Sequence, residues 1–205
     1  MMLSIIMISI LERKESFSKL VNLVQSQIDY CKEVHPTLGQ VEIVKVVSPR
    51  YSVGGHTIGH KRQLGLLASK GEYVCWLDDD DWVSPDYVET LLRLCNKGAD
   101  VCTFNNVSKF ENFWMVVKMH LSTRHDDQAR PGIIERRPWH VCAFRKGILT
   151  GIEFPDANWD EDTAFINEAL KNCRTFAHSD SVLHEYRRLE TSYSENNEEV
   201  RSIIR

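Results

Sequence analysis

The sequence predicts an α/β fold, a single domain with a mostly parallel central sheet flanked by helices. Three observations lead there. Apolar runs of strand length alternate with helical periodicity through the first hundred residues, the pattern of a parallel sheet with crossover helices. A chain of 205 residues is enough for one sizeable core. No internal repeat or low-complexity linker divides it.

The elements follow in order. Leu3 to Ile10 is a continuous apolar run and reads as a buried strand. Phe17, Leu20, Val21, Val24 and Ile28 then share one face of a helix over Lys14 to Val34. A second strand is expected over Val41 to Val47, then a glycine-containing loop from Ser48 to Thr57 and a helix from Ile58 to Ser69 that closes at Gly71. The third strand, Glu72 to Leu77, runs into four consecutive aspartates. Ser84-Pro85-Asp86 has the composition of a helix start, with a capping hydroxyl, a proline and an acid, and that helix should reach Asn96 and stop at Gly98. A fourth strand over Asp100 to Asn105 completes the alternating series. Beyond it the pattern loosens. Phe110 to Leu121 reads as one long strand, Leu121 to Gly132 as a polar loop, and Trp139 to Leu149 as a short element of either kind. Asp160 to Asn172 is a clear helix, Thr175 to Ala177 and Val182 to Tyr186 are short strands, and the tail after Ser194 is polar and expected to fray. The halves divide as residues 1–106 and 107–205.

Composition removes several classes of function. With 25 Lys+Arg against 29 Asp+Glu the formal net charge is −4, and a 26% charged content excludes a histone-like polycation. Leu3 to Leu11 is about half the length of a membrane span, so no membrane insertion is expected. Six scattered cysteines without a Cys-x-x-Cys pair suit a reducing, cytoplasmic setting.

Locally the charge is far from average. Ile43 to Gly71 carries Lys45, Arg50, Lys61, Arg62 and Lys70 with no acid, and its glycines let backbone amides approach an anion. Asp78-Asp79-Asp80-Asp81 then stands at the end of an apolar strand, where ligands bind in open parallel sheets. Four adjacent carboxylates repel unless a cation lies among them, and Mg²⁺ or Mn²⁺ held by one or two carboxylates plus phosphates is an economical partner. A metal-binding cluster beside a cationic loop is what a diphosphate needs. Glu161-Asp162, at a helix start, supplies a separate carboxylate of the kind a general base requires.

The run GHKRQLGLLASKGEYVCWLDDDDWVSPDYVETLL (Gly59 to Leu92) resembles the family 2 glycosyltransferases of the Rossmann-like GT-A fold, with their helix ending in Gly-Glu-Tyr, apolar strand and Asp-x-Asp motif. FPDANWDEDTAFINEAL (Phe154 to Leu170) is similar to the family's Glu-Asp segment, and LHEYRRLETSYS (Leu183 to Ser194) to its closing Tyr-Arg strand. The resemblance implies a metal-dependent, inverting transfer of a sugar from a nucleotide-sugar donor to an acceptor hydroxyl. It places Asp78 near the donor ribose and, with Asp80, in the Asp-x-Asp pair that holds Mn²⁺ or Mg²⁺. Ser9, Arg13, Arg62, Asp79 and Arg187 fall on the donor side, Asp162 is the base, and Trp139, His140, Trp159 and Glu161 fall on the acceptor side. Two departures stand out. Of the family's Pro-x-Tyr-Asn-Arg only Arg13 remains, and its Asp-Asp-Gly-Ser is replaced by Val47-Ser48-Pro49-Arg50, which removes the acid that usually meets the nucleobase and puts Arg50 there. A soluble acceptor is expected, either a glycan or a hydroxymethylated DNA base of a phage. For the latter, Arg124 to Lys146 holds six basic residues against three acids.

Other readings compete. Asp79 to Val83 also fits the Asp-x-Asp-x-Val pattern of haloacid-dehalogenase phosphatases, but there the motif sits on the first strand. A sugar nucleotidyltransferase needs a glycine-rich loop after its first strand, and none is present. A non-catalytic nucleotide- or metal-binding domain leaves Glu161-Asp162 unused. His120 and His125 with Asp126-Asp127 read as polar loop, because no third ligand has metal spacing.

Overall fold

The computed structural model describes residues 1–49, 56–110, 112–123 and 130–187. Arg50, Gly54-Gly55, His125, Asp126-Asp127 and the tail after Ser194 lie outside the described residues.

The predicted α/β architecture is present: among the described residues four helices flank a nine-stranded sheet. β1 (Leu3–Ile10) is buried along almost its whole length and lies between β2 (Val41–Ser48) and β3 (Tyr73–Asp78), parallel to both. The crossover helices are α1 (Lys14–Val34) and α2 (Ile58–Ala68). Phe17, Leu20, Val24 and Ile28 of α1 are buried, as their spacing requires. Two glycines let α2 pack closely. A side-chain carbon at Gly65 would stand 2.2 Å from Ile6 Cγ2 of β1, and one at Gly59 would stand 1.9 Å from the Pro155 carbonyl oxygen.

The first departure from expectation is at Ser84. Helix α3 spans Tyr87–Cys95, and the Ser84 hydroxyl donates to Asp86 Oδ1 at 2.6 Å instead of capping the helix. The Val88 amide is capped from outside by Gln27 Oε1 at 3.1 Å, so a buried polar residue of α1 starts α3. Proline and acid set the turn, while tertiary contact supplies the cap.

β5 spans Val101–Lys109, four residues beyond the expected end, so a division at residue 106 falls inside a strand. The long strand expected over Phe110 to Leu121 is the shorter β6 (Trp114–Met119), antiparallel to β5, and β7 (Gly132–Arg136) forms where a polar loop was expected to end. The ambiguous Trp139 to Leu149 segment becomes β8 (Ala143–Arg145) followed by a 3₁₀ turn, Lys146–Leu149. β8 runs antiparallel between β3 and β5 and joins the two halves into one sheet. The helix over Glu161–Asn172 (α4) appears as predicted. The two short strands expected at the end are one continuous strand, β9 (Phe176–Arg187), parallel to β5. The β5–β9 register shifts at Phe104/Asn105 and at Asn105/Asn106, an irregularity that bends paired strands and interrupts the alternation a sequence shows. β4 (Trp82–Val83) follows the aspartates and pairs antiparallel with β9, opposite Glu185 and His184.

All six cysteines are buried free thiols. Among the described residues no helix is long and apolar enough to cross a membrane.

Candidate active site

A cavity of about 490 Å³ opens where β1 and β3 end, within the size range of small-molecule sites. The four aspartates form its near wall as a tight turn: the Asp81 amide donates to the Asp78 carbonyl at 3.2 Å, and the Asp78 amide donates to Asp81 Oδ2 at 2.9 Å. Each carboxylate has a different environment. Asp78 takes both of its bonds from Arg62 Nη2, at 3.0 and 2.9 Å. Asp79 accepts from the Ser9 hydroxyl at 2.7 Å and from Arg13 Nη1 at 2.8 Å. Arg13 also meets Asp80 at 3.3 Å. Asp81 turns to the other side and faces His184 Nε2 at 3.1 Å.

Their acidities diverge accordingly. Burial pushes the Asp80 carboxyl up to about 7, with the charges of Asp81, Asp78 and Asp79 adding to it and Arg13 opposing. Burial also raises Asp79 despite its bonds to Ser9 and Arg13. For Asp78 burial is outweighed by the Arg62 guanidinium and by His140, and the carboxyl sits below its ordinary value.

Arg62 is the hub of the site. It is almost fully buried on α2, and its Nη1 reaches Glu161 at 2.9 Å and Asp162 at 3.7 Å while its Nη2 holds Asp78. One guanidinium therefore ties the end of β3 to the first turn of α4, whose Glu161 is 99 positions from Arg62 in the chain. His140 completes the junction, with Nδ1 3.3 Å from Asp162 Oδ2 and Nε2 3.8 Å from Asp78 Oδ2. The two acids of α4 are thereby driven apart. Burial pushes Glu161 up to about 7 despite Arg62, whereas for Asp162 burial is overridden by the close approach of His140 and by the Arg62 guanidinium, which hold the carboxyl well below the carboxylate range. Asp162 also keeps access to the cavity, its side chain 21% exposed against 6% for Glu161.

The approach to α4 is pinned to the start of α2. Thr57 caps α2 by accepting from the His60 amide at 3.1 Å and also bonds the Asp156 carboxylate, the Ile58 amide donates to Asn158 Oδ1 at 2.9 Å, and the Gly59 amide donates to the Ala157 carbonyl at 3.0 Å. Asp160, immediately before α4, adopts a left-handed conformation (φ 56°), a strained backbone of the kind that clusters at functional sites.

Of the residues the sequence singled out, Arg13, Arg62, Asp78, Asp79, Asp80, Trp139, His140, Trp159, Glu161 and Asp162 all line the cavity. Ser9 touches it through Asp79. The Trp139 ring is covered by the Arg136 guanidinium at 3.9 Å, and His140 is buried between carboxylates. Arg187 is the last residue of β9. Sequence reasoning missed Asn106 and His184, polar residues inside apolar strand runs whose only sequence signal is that interruption, and it named Lys61 only as one of the basic residues of the segment before the aspartates. Lys61 is fully buried, donates to the Ser9 carbonyl at 3.0 Å, and is pushed down to about 8 by that burial.

Comparison with known proteins gives a family. Residues 41–152 match the model of glycosyl transferase family 2, more than half of the chain and including the aspartate turn. The putative glycosyltransferase EpsH of Bacillus subtilis (strain 168) is 30% identical over 143 residues, which is 63% of this chain and 41% of EpsH. Two crystal structures of S. aureus TarS 1–349 share the fold. One superposes with a TM-score of 0.62 at 15% identity over 91% of this chain, and a second, in complex with UDP-GlcNAc, with 0.64 at 14% over 96%. The chain spans 60% and 61% of those TarS chains, and less than half of EpsH. The chain belongs to glycosyl transferase family 2.

Proposed function

We propose that this chain carries the site of a metal-dependent, inverting glycosyltransferase that moves a sugar from a nucleotide-sugar donor to an acceptor hydroxyl. The observation that carries the reading is the meeting of two acidic clusters on one guanidinium, Asp78 on one side of Arg62 and Glu161 with Asp162 on the other. The UDP-GlcNAc bound to TarS supports a nucleotide sugar as the donor class.

The donor set fits a hard divalent cation through Asp80 better than through Asp78. Both Asp78 oxygens already accept from Arg62, whereas Asp80 stands on the cavity wall in a turn crowded with carboxylate. Among the described residues no three His, Cys, Asp or Glu side chains converge to hold an ion by themselves, so Asp80 would share Mn²⁺ or Mg²⁺ with the oxygens of a diphosphate and water. When bound, that ion supplies Lewis acidity to the departing nucleoside diphosphate. The remaining work belongs to the chain. Arg13 sets the Asp79 and Asp80 carboxylates, and Arg62 holds Asp78 against the ribose side. Asp162, ionised and open to the cavity, takes the proton from the acceptor hydroxyl as that oxygen attacks the anomeric carbon from the face opposite the leaving group, which inverts the centre.

A glycan acceptor is favoured over a hydroxymethylated DNA base. Three of the six basic residues of that segment are engaged internally, Arg145 on Tyr73 and the Gly98 carbonyl, Lys146 on the Ser69 carbonyl, and Arg136 over Trp139, which removes half of the charge that would follow a phosphate backbone. A haloacid-dehalogenase phosphatase is disfavoured because the aspartates follow the third strand and share their cavity with Glu161-Asp162.

The test is release of nucleoside diphosphate from a panel of nucleotide sugars with Mn²⁺, beside phosphate release from a monoester. Diphosphate release that Asp162→Asn lowers by about a hundredfold or more is expected. Monoester hydrolysis in its place, or wild-type turnover by the Asn variant, would overturn the reading.

A further inference from the structure

The segment that leads into α4 is tied again and again to one element. The Phe154 amide donates to Gln63 Oε1 at 3.1 Å, the Thr57 hydroxyl donates to the Asp156 carboxylate, the Gly59 amide donates to the Ala157 carbonyl at 3.0 Å, and the Ile58 amide donates to Asn158 Oδ1 at 2.9 Å. Thr57 is the cap of α2, and Ile58, Gly59 and Gln63 lie within that helix. Just past the last of these ties, Arg62 of the same helix takes hold of Glu161 at 2.9 Å and faces Asp162 at 3.7 Å.

Asp160, with its φ of 56°, stands between the two anchors. A residue with a side chain stays in left-handed backbone only where its surroundings over-determine it. Here the constraint comes from both sides and from one helix, Asn158 fixing the chain before the turn and Arg62 fixing it after. The body of α4 is held separately. The Phe165 ring packs 3.8 Å from that of Phe154 and 5.4 Å from that of Trp76, and Ile166 and Ala169 are buried. Asn158 therefore bears on the direction of the first turn of α4 and not on the docking of the helix as a whole. That first turn carries Asp162, whose Oδ2 lies 3.3 Å from His140 Nδ1. None of the ties of Asn158 or its neighbours given above reaches the aspartate turn, which is held from Ser9, Arg13, Arg62 and His184.

We propose that Asn158 is a positioning residue for the base: through its bond to the Ile58 amide it holds the left-handed turn at Asp160, and so keeps the Asp162 carboxylate beside His140 and open to the cavity. The inference rests on the glycosyltransferase reading for what Asp162 does, and extends it to a residue outside both acidic clusters. It separates two parts of the site, since loosening the entry to α4 disturbs the base and leaves the donor side in place.

The test uses the full chain as wild type, Asn158→Ala and Asn158→Asp, the last of which still offers an oxygen to the Ile58 amide. Two quantities are read. One is release of nucleoside diphosphate from whichever nucleotide sugar of the panel the wild type cleaves with Mn²⁺. The other is the titration of the Asp162 carboxyl by carboxyl-carbon NMR, assigned with Asp162→Asn, the charged or titratable groups that face it being Arg62, His140, Glu161 and Asp78. Asn158→Ala should lower turnover by about tenfold to a hundredfold, the scale of a reacting group displaced by about an ångström, with the donor KM and the Mn²⁺-dependent diphosphate affinity unchanged. The Asp162 carboxyl, held below the carboxylate range in the wild type, should move up towards about 4, the ordinary aspartate value. Asn158→Asp should recover most of the turnover and the low titration. A loss that falls equally on diphosphate affinity would mark a merely structural role and overturn the proposal, as would wild-type turnover and titration in Asn158→Ala, or no recovery in Asn158→Asp. If the wild type cleaves no nucleotide sugar, the glycosyltransferase reading falls, and the Asp162 titration alone then decides whether Asn158 positions that side chain.

Discussion

The two acidic clusters look alike in sequence and are treated oppositely by the fold. Asp78 to Asp81 close a buried strand, and their turn distributes them among separate partners, Asp78 to Arg62, Asp79 to Ser9 and Arg13, Asp80 to Arg13 and Asp81 to His184. Glu161 and Asp162 begin a helix and share one cation, yet one is pushed up to about 7 by burial and the other is held below the carboxylate range by His140 and Arg62. A run of acids therefore says where charge accumulates. The partners that come from elsewhere in the chain decide which acid stays ionised and which is left for a ligand.

The largest way to break this division is to remove its hub. Arg62→Ala leaves Asp78, Glu161 and Asp162 facing one another without their cation, and should destabilise the chain by about 3–5 kcal/mol in urea unfolding. Arg62→Lys, which cannot bridge two carboxylates with a rigid fork, should recover only part of that.

A second change sharpens the contrast within α4. The folded Glu161 value of about 7 lies above its ordinary 4.5, so between those pH values the folded chain binds the proton more tightly than the unfolded chain does. This contribution is fully present below about 4.5 and is lost as pH rises to about 7, amounting to at most about 3 kcal/mol. Glu161→Gln should remove it. The difference between wild type and variant, measured by unfolding at pH 5 and pH 8, should move in favour of the variant as pH rises.

The smallest of the three effects concerns the clamp between α2 and the approach to α4. Gly59→Ala places a carbon against the Pro155 carbonyl and should cost about 1–3 kcal/mol. Ser18→Ala, at an exposed position on α1 whose hydroxyl bonds only the preceding turn, serves as the control and should be near neutral.

Much of this was legible in advance, and unevenly. The first half of the chain could be read because β1 and β3 are buried on both faces and α1 and α3 are amphipathic, so hydrophobic pattern and structure agree in those elements. The second half resisted because polar residues interrupt the alternation of its strands. Glu135 and Arg136 hide β7, and His178 and Asp180, next to the register shift, split β9 into two apparent strands. The aspartates, Arg62 and Glu161-Asp162 declared themselves by charge. His184 and Asn106 did not, since a single polar residue in an apolar run acquires meaning only from partners tens of residues distant, and His140 was reached only through the family resemblance.

The central claim is that the two clusters divide one nucleotide-sugar site between ion and base, and thermal shift on three proteins tests it most directly. The wild type, Asp80→Ala and Asp162→Asn are each titrated with a nucleoside diphosphate panel with and without Mn²⁺, since a ligand that binds the folded state raises apparent stability by mass action. The account predicts a Mn²⁺-dependent shift in the wild type, its loss in Asp80→Ala, and its retention in Asp162→Asn. Retention in Asp80→Ala, or loss in Asp162→Asn, would contradict it.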